Sequence, residues 1–146
     1  MRILAIDYGS VRTGIAVTDP QQIIATGLTT VPTREIFTFL ANYMAKEKVE
    51  GIVVGEPKHM DNTPAQSAES TGKFIEQLCS KLPGMPVYRV DERLTSRMAF
   101  QSMIDGGLKK KDRQNKATID MVSAALILQT FMEMKKEGNL PPSVSM

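Results

Sequence analysis

Tryptophan is absent from this chain of 146 residues, and three tyrosines with five phenylalanines bring the aromatic share to only 5%. Stacking of bases on exposed rings is therefore not expected as the main binding device. A single cysteine, Cys79, excludes a disulfide within the chain. It lies in an apolar helical pattern and reads as a buried, inert thiol. A single histidine, His59, sits in the polar stretch GEPKHMDNTP. With no second His or Cys beside it, it makes a poor zinc site. Solvent or a phosphate is its expected neighbour, and the same holds for Lys58. No apolar run is long enough to span a bilayer, and the chain opens on a strand pattern with no secretory signal regions. A cytoplasmic protein with no membrane partner is the expectation. Neither G-x-x-x-x-G-K-[ST] nor G-x-G-x-x-G occurs, so the strongest nucleotide-binding loops are missing.

Charge of one sign is scarce overall: the formal net charge is +2. Its distribution is less even. From Arg89 to Lys116 there are eight Lys/Arg against four Asp/Glu. A solvated basic surface and a phosphate-facing one both fit that run. The 42% hydrophobic share supports one well-buried core, expected over residues 1–138, with 139–146 as a flexible tail.

The pattern of elements is α/β. Residues 2–8 and 13–19 read as strands joined by a short hairpin connection, and 22–31 as a third strand with Gly27 marking a bend or bulge. Thr33 is placed to cap a helix whose face carries Ile36, Phe37, Leu40, Tyr43 and Met44. GIVVG at 51–55 is a buried strand closed by Glu56-Pro57. TPAQ at 63–66 has the form of a capping box for a helix running to about Leu82 and ended by Pro83-Gly84. Residues 86–91 give a fifth strand. A short helix from about Ser96 to Ile104 and a basic loop, KKKDRQNK, follow. The last helix, about 117–137, has Ile119, Val122, Ala125, Leu126 and Gln129 near one face and ends at Gly138. A strand trio followed by alternating helices and strands implies a mixed sheet with helices on its faces.

Acids at strand ends and on the last helix carry the chemical argument: Asp7, Glu56, the Asp91-Glu92 pair and Asp120. Open α/β sheets bind ligands at the carboxyl ends of their strands. Asp7 closes an apolar strand, where an isolated carboxylate would be driven to protonate. A divalent cation shared among several carboxylates removes that cost, and hard cations prefer oxygen ligands. Asp7 also fits a turn-capping role on the amides of Gly9 and Ser10. Asp120 also fits a near-N-terminal acid favoured by the helix dipole. Glu92 fits a metal ligand or a base for water. Thr95 or Ser96 reads as a helix cap, and Asp91 with Arg93 as a local ion pair. Arg12, at the hairpin tip, faces either a phosphate or water.

AIDYGSVRTGIAVTD, VVGEPKHMDNT, VYRVDERLTS and KATIDMVSAALILQ resemble, in order and spacing, the YqgF family over roughly residues 1–135. These are small bacterial proteins described as Holliday junction resolvases or as nucleases of precursor small-subunit ribosomal RNA. The resemblance implies an RNase H-like fold: a five-stranded mixed sheet, strand two antiparallel, flanked by helices on both faces. It implies phosphodiester hydrolysis with Mg²⁺ or Mn²⁺. Asp7, Glu92 and Asp120 match the catalytic and metal-ligating positions. Arg12, Arg93, Lys109, Lys110, Lys111, Arg113 and Lys116 would then grip backbone phosphates. Glu56 departs from the apolar residue of many relatives and is an additional or alternative ligand, or a solvent-facing neighbour of Lys58. The partner expected is structured RNA, with the ribosome or its precursors, or else branched DNA; the chain would act as a monomer or homodimer. Two alternatives stand beside the nuclease. One is a non-catalytic nucleic-acid or ribosome-assembly binder. The other is an ATPase-like domain, for which the chain is short.

Overall fold

The structure is a computed structural model that describes residues 1–56, 68–91, 116–138 and 143–144. Its strands are β1 (Arg2–Asp7), β2 (Arg12–Thr18), β3 (Ala25–Pro32), β4 (Val49–Glu56), β5 (Val87–Asp91) and β6 (Ser143–Val144). Its helices are α1 (Ile36–Lys46), α2 (Ala68–Lys81) and α3 (Lys116–Lys136). The sheet order is β3-β2-β1-β4-β5-β6. β1 runs antiparallel to β2 and parallel to β4, and β4 runs parallel to β5. This is the expected five-stranded mixed sheet with strand two antiparallel. A two-residue sixth strand lies along β5 in the stretch read from the sequence as a tail, with Val144 opposite Val87.

Strand alternation sorts the core into two layers. Leu4, Ile6, Ile15, Val17, Ile52, Val54 and Val87 face α1 and α2, meeting Ile36, Leu40, Phe74, Ile75 and Leu78. Ile3, Ala5, Ala16, Val53 and Val90 face the other way, against Ala124, Ile127, Leu128 and Phe131 of α3. Cys79 is buried in the first layer, as its pattern implied. The small residues of the second layer let α3 settle close to β1 and β2. Phe131 then fills the far end, its ring 4.8 Å from that of Tyr88.

Three local expectations are corrected. Residues 22–24 are not strand. They belong to a turn in which Gln22 takes a φ of 59° and the Asp19 carboxylate collects the amides of Ile23 and Ile24. Thr33 caps no helix: a 3-10 turn, Thr33–Glu35, precedes α1, and no side chain caps either start. The buried face of α3 is Ser123, Ala124, Ile127, Leu128 and Phe131, with Leu126 also covered and Gln129 exposed. Because α3 is apolar nearly all round, its sequence has no single stripe to read. The Gly27 irregularity is real: the β2–β3 register passes from Ile15↔Thr29 to Ala16↔Gly27, leaving Leu28 as the extra residue. The TPAQ capping box and the helix expected at 96–104 lie outside the described residues.

Candidate nuclease site

The site is built where three chain segments meet at the hairpin end of the sheet. Asp7 is the last residue of β1 and stands opposite Gly14 of β2. Directly opposed residues of an antiparallel pair project from the same face. Ile3 and Ala5, which share the parity of Asp7, pack on α3. Asp7 is thus on the α3 face, half-buried at the open end of β1.

Gly14 brings α3 down onto that point. A Cβ at Gly14 would lie 2.1 Å from the carbonyl oxygen of Asp120 and 2.9 Å from its Cβ. Only a residue with no side chain permits this approach of strand and helix backbones. The contact sets Asp120, one turn into α3, over the partner of Asp7. Two acids that the sequence holds far apart are therefore on one face, around one glycine.

The hairpin connection is tied down as firmly. The Thr33 hydroxyl donates to the Gly9 carbonyl at 2.6 Å and shares a hydrogen bond with the Thr13 hydroxyl at 2.8 Å. The Thr33 amide donates to the Val11 carbonyl at 2.9 Å. Gly9 leaves room for the Arg12 carbonyl, which a Cβ there would meet at 2.3 Å. Thr33, expected to serve α1, instead fixes the loop that presents Arg12. Arg12 Nε donates to Asp120 Oδ2 at 3.2 Å, the two side chains being 40% and 23% exposed.

Asp7 and Asp120, two of the three expected acids, thus lie on one face around Gly14, and Arg12 pairs with Asp120. Glu56 ends β4 in register with Asp91 at the end of β5. Glu92, Arg93, Lys109, Lys110, Lys111 and Arg113, with His59 and Lys58, lie outside the described residues. Lys116 opens α3. Among the described residues no group of three or more His, Cys, Asp or Glu is arranged as a metal cage. The donor chemistry does fit a hard dication: carboxylates are the ligands such ions take, and a guanidinium on Asp120 marks a position that favours positive charge. Gly14 as the seat of α3, and Arg12 as the partner of Asp120, were both missed in the sequence. A glycine inside a strand was the available signal for the first, since it marks a close backbone approach. For the second there was none, because Arg12 and Asp120 are 108 positions apart.

Solved structures share the fold. The fold matches RuvC of T. thermophilus in complex with a Holliday junction substrate, with a TM-score of 0.64 at 19% identity, covering 99% of this chain and 100% of that one. It also matches fowlpox virus resolvase in a complex with Holliday junction DNA, with a TM-score of 0.56 at 10% identity, covering 92% and 99%. The architecture is RNase H-like. Residues 1–134 match the profile of the RuvX family, described as Holliday junction resolvase, and the chain belongs to that family. Among curated relatives it is 57% identical over 135 residues to a protein of Phocaeicola vulgatus, covering 92% of this chain and 97% of the relative. It is 58% identical over 131 residues to one of Christiangramia forsetii, covering 90% and 97%. Both relatives carry the name "Putative pre-16S rRNA nuclease". Among the described residues no helix is long and apolar enough to cross a membrane.

Proposed function

We propose that this chain is a divalent-metal-dependent nuclease that cleaves structured nucleic acid, with the 5′ end of pre-16S rRNA as its substrate. The observation that carries the reading is the convergence of Asp7 and Asp120 on one face around Gly14. The names of the relatives supply the substrate. Asp7, Asp120 and Glu92 would hold the cation, Mg²⁺ or Mn²⁺. The cation supplies charge stabilisation at the scissile phosphate and activation of water. The chain's own groups orient the substrate. Arg12, Arg93, Lys109, Lys110, Lys111, Arg113 and Lys116 hold backbone phosphates, which fixes register without reading sequence. The protein works in the cytoplasm on ribosome precursors.

Resolution of a four-way DNA junction is the second reading, favoured by the family description. It requires two sites in one symmetric dimer, since two strands are cut in register.

The test offers pre-rRNA fragments and a synthetic four-way junction, each with Mg²⁺ or Mn²⁺, to the wild-type protein and to Asp7→Asn and Asp120→Asn. Cleavage of the RNA end, lost by at least about a hundredfold in both variants while their circular dichroism is unchanged, is the expected result. Metal-dependent cleavage that persists in either variant removes that acid from the site. Paired cuts in the junction alone, by a dimer, would select the second reading. Binding that survives both substitutions, with no cleavage by any form, would make the chain a non-catalytic binder.

A further inference from the structure

We infer that Arg12 is an exchangeable counter-charge: it neutralises Asp120 until a divalent cation takes its place, and is then released to a substrate phosphate. The inference rests on the reading of Asp7 and Asp120 as metal ligands and adds how that site is loaded.

Arg12 and Asp120 come from separate elements, each fixed independently. The hairpin loop before Arg12 is held by Thr33 through Gly9 and Val11. The start of α3 is held by its backbone seat on Gly14. Their meeting is therefore a property of the frame and not of one mobile segment. The contact itself is a single bond, Nε to Oδ2 at 3.2 Å, between half-exposed side chains. A pair of that kind is weak. It can be exchanged without disturbing the frame on either side.

The Arg12 guanidinium is a cation beside Asp120. A dication bound to Asp120 meets this charge at close range. The two repel, and they compete for the same carboxylate oxygens. Arg12 then swings outward, on a side chain already 40% exposed. There its five donors match a backbone phosphate. Metal and nucleic acid would therefore bind with positive coupling, each favouring the state in which Arg12 has left Asp120.

If Arg12 served only to orient the Asp120 carboxylate, removing it would weaken metal binding. The exchange predicts the opposite sign. Isothermal titration with Mn²⁺, in the absence of nucleic acid, separates them. Arg12→Gln keeps most of the side chain and loses the charge. It is expected to bind Mn²⁺ about two- to tenfold more tightly than wild type. Arg12→Lys keeps the charge and is expected to stay within about twofold. In an Asp120→Asn background the gain from Arg12→Gln should disappear. Unchanged or weaker Mn²⁺ binding by Arg12→Gln overturns the exchange while leaving the metal centre standing. A gain that persists in the Asp120→Asn background also overturns it, since the effect would then be general charge. Absence of any Mn²⁺ binding by the wild-type protein overturns the metal-centre reading, and the exchange with it.

Discussion

One carboxylate organises the turn between β2 and β3. Asp19 Oδ1 accepts from the amides of Ile23 and Ile24 at 2.7 and 2.8 Å, and Oδ2 accepts from the Gln21 amide at 3.3 Å. Hydrogen bonding, led by the Ile24 amide, lowers its pKa below the ordinary 3.8. A carboxyl with a lowered folded pKa contributes stability that is fully present above its unfolded value and is lost as the pH falls through the folded one. Asp19→Ala should therefore lower the melting temperature at about pH 6, and the gap from wild type should be smaller at about pH 3, below the ordinary carboxyl value of 3.8. A gap of equal size at both values would show that the charge plays no part. The same turn explains why the third strand was read three residues too early. Ile23 and Ile24 look like strand residues by propensity, yet they are 68% and 62% exposed. The turn chemistry of Asp19, with Gln22 at positive φ, outweighs that preference.

At the scale of elements, the decisive contact is α3 upon the β1–β2 hairpin. Sequence pattern located both partners, because an apolar strand ending in an acid and a long apolar helix are strong local signals. It did not locate the contact between them, nor the buried face of α3, because a helix apolar on most sides leaves its orientation to tertiary packing. Gly14 settles that orientation, and its substitution is the direct test. In Gly14→Ala the new methyl would fall on the Asp120 carbonyl, which is backbone and has no rotamer to yield. The start of α3 must lift from the sheet. A loss of about 1–3 kcal/mol in chemical denaturation is expected. Affinity for Mn²⁺ should fall as well, since Asp120 moves away from Asp7. Far from this point, Phe131 is buried against the same face of the sheet, so the rest of α3 should stay docked. A variant as stable as wild type, with unchanged Mn²⁺ affinity, would mean that the helix is seated elsewhere.

Across the whole molecule, the succession of elements along the chain and the two-sided layering were legible, because hydrophobic period and element order constrain an α/β sheet strongly. The placing of Asp7 and Asp120 on one face was argued from two acids intruding on apolar elements and then from family motifs, since no local rule relates a strand end to a helix so far along the chain. The basic run is the remaining large-scale feature, and net charge says little about it: the chain is only +2 overall, while eight Lys/Arg fall between Arg89 and Lys116. If that run holds phosphates, affinity for nucleic acid should fall linearly with salt on logarithmic axes, by about 0.9 per phosphate neutralised on duplex DNA and about 0.7 on a single strand. Reversing three charges together, Lys109→Glu, Lys110→Glu and Lys111→Glu, should reduce that slope by about two to three, weaken binding to unrelated sequences alike, and leave Mn²⁺ affinity at the acidic site unchanged. Filter binding over a range of salt measures the slope for wild type and variant. An equal slope in both would remove these lysines from the grip.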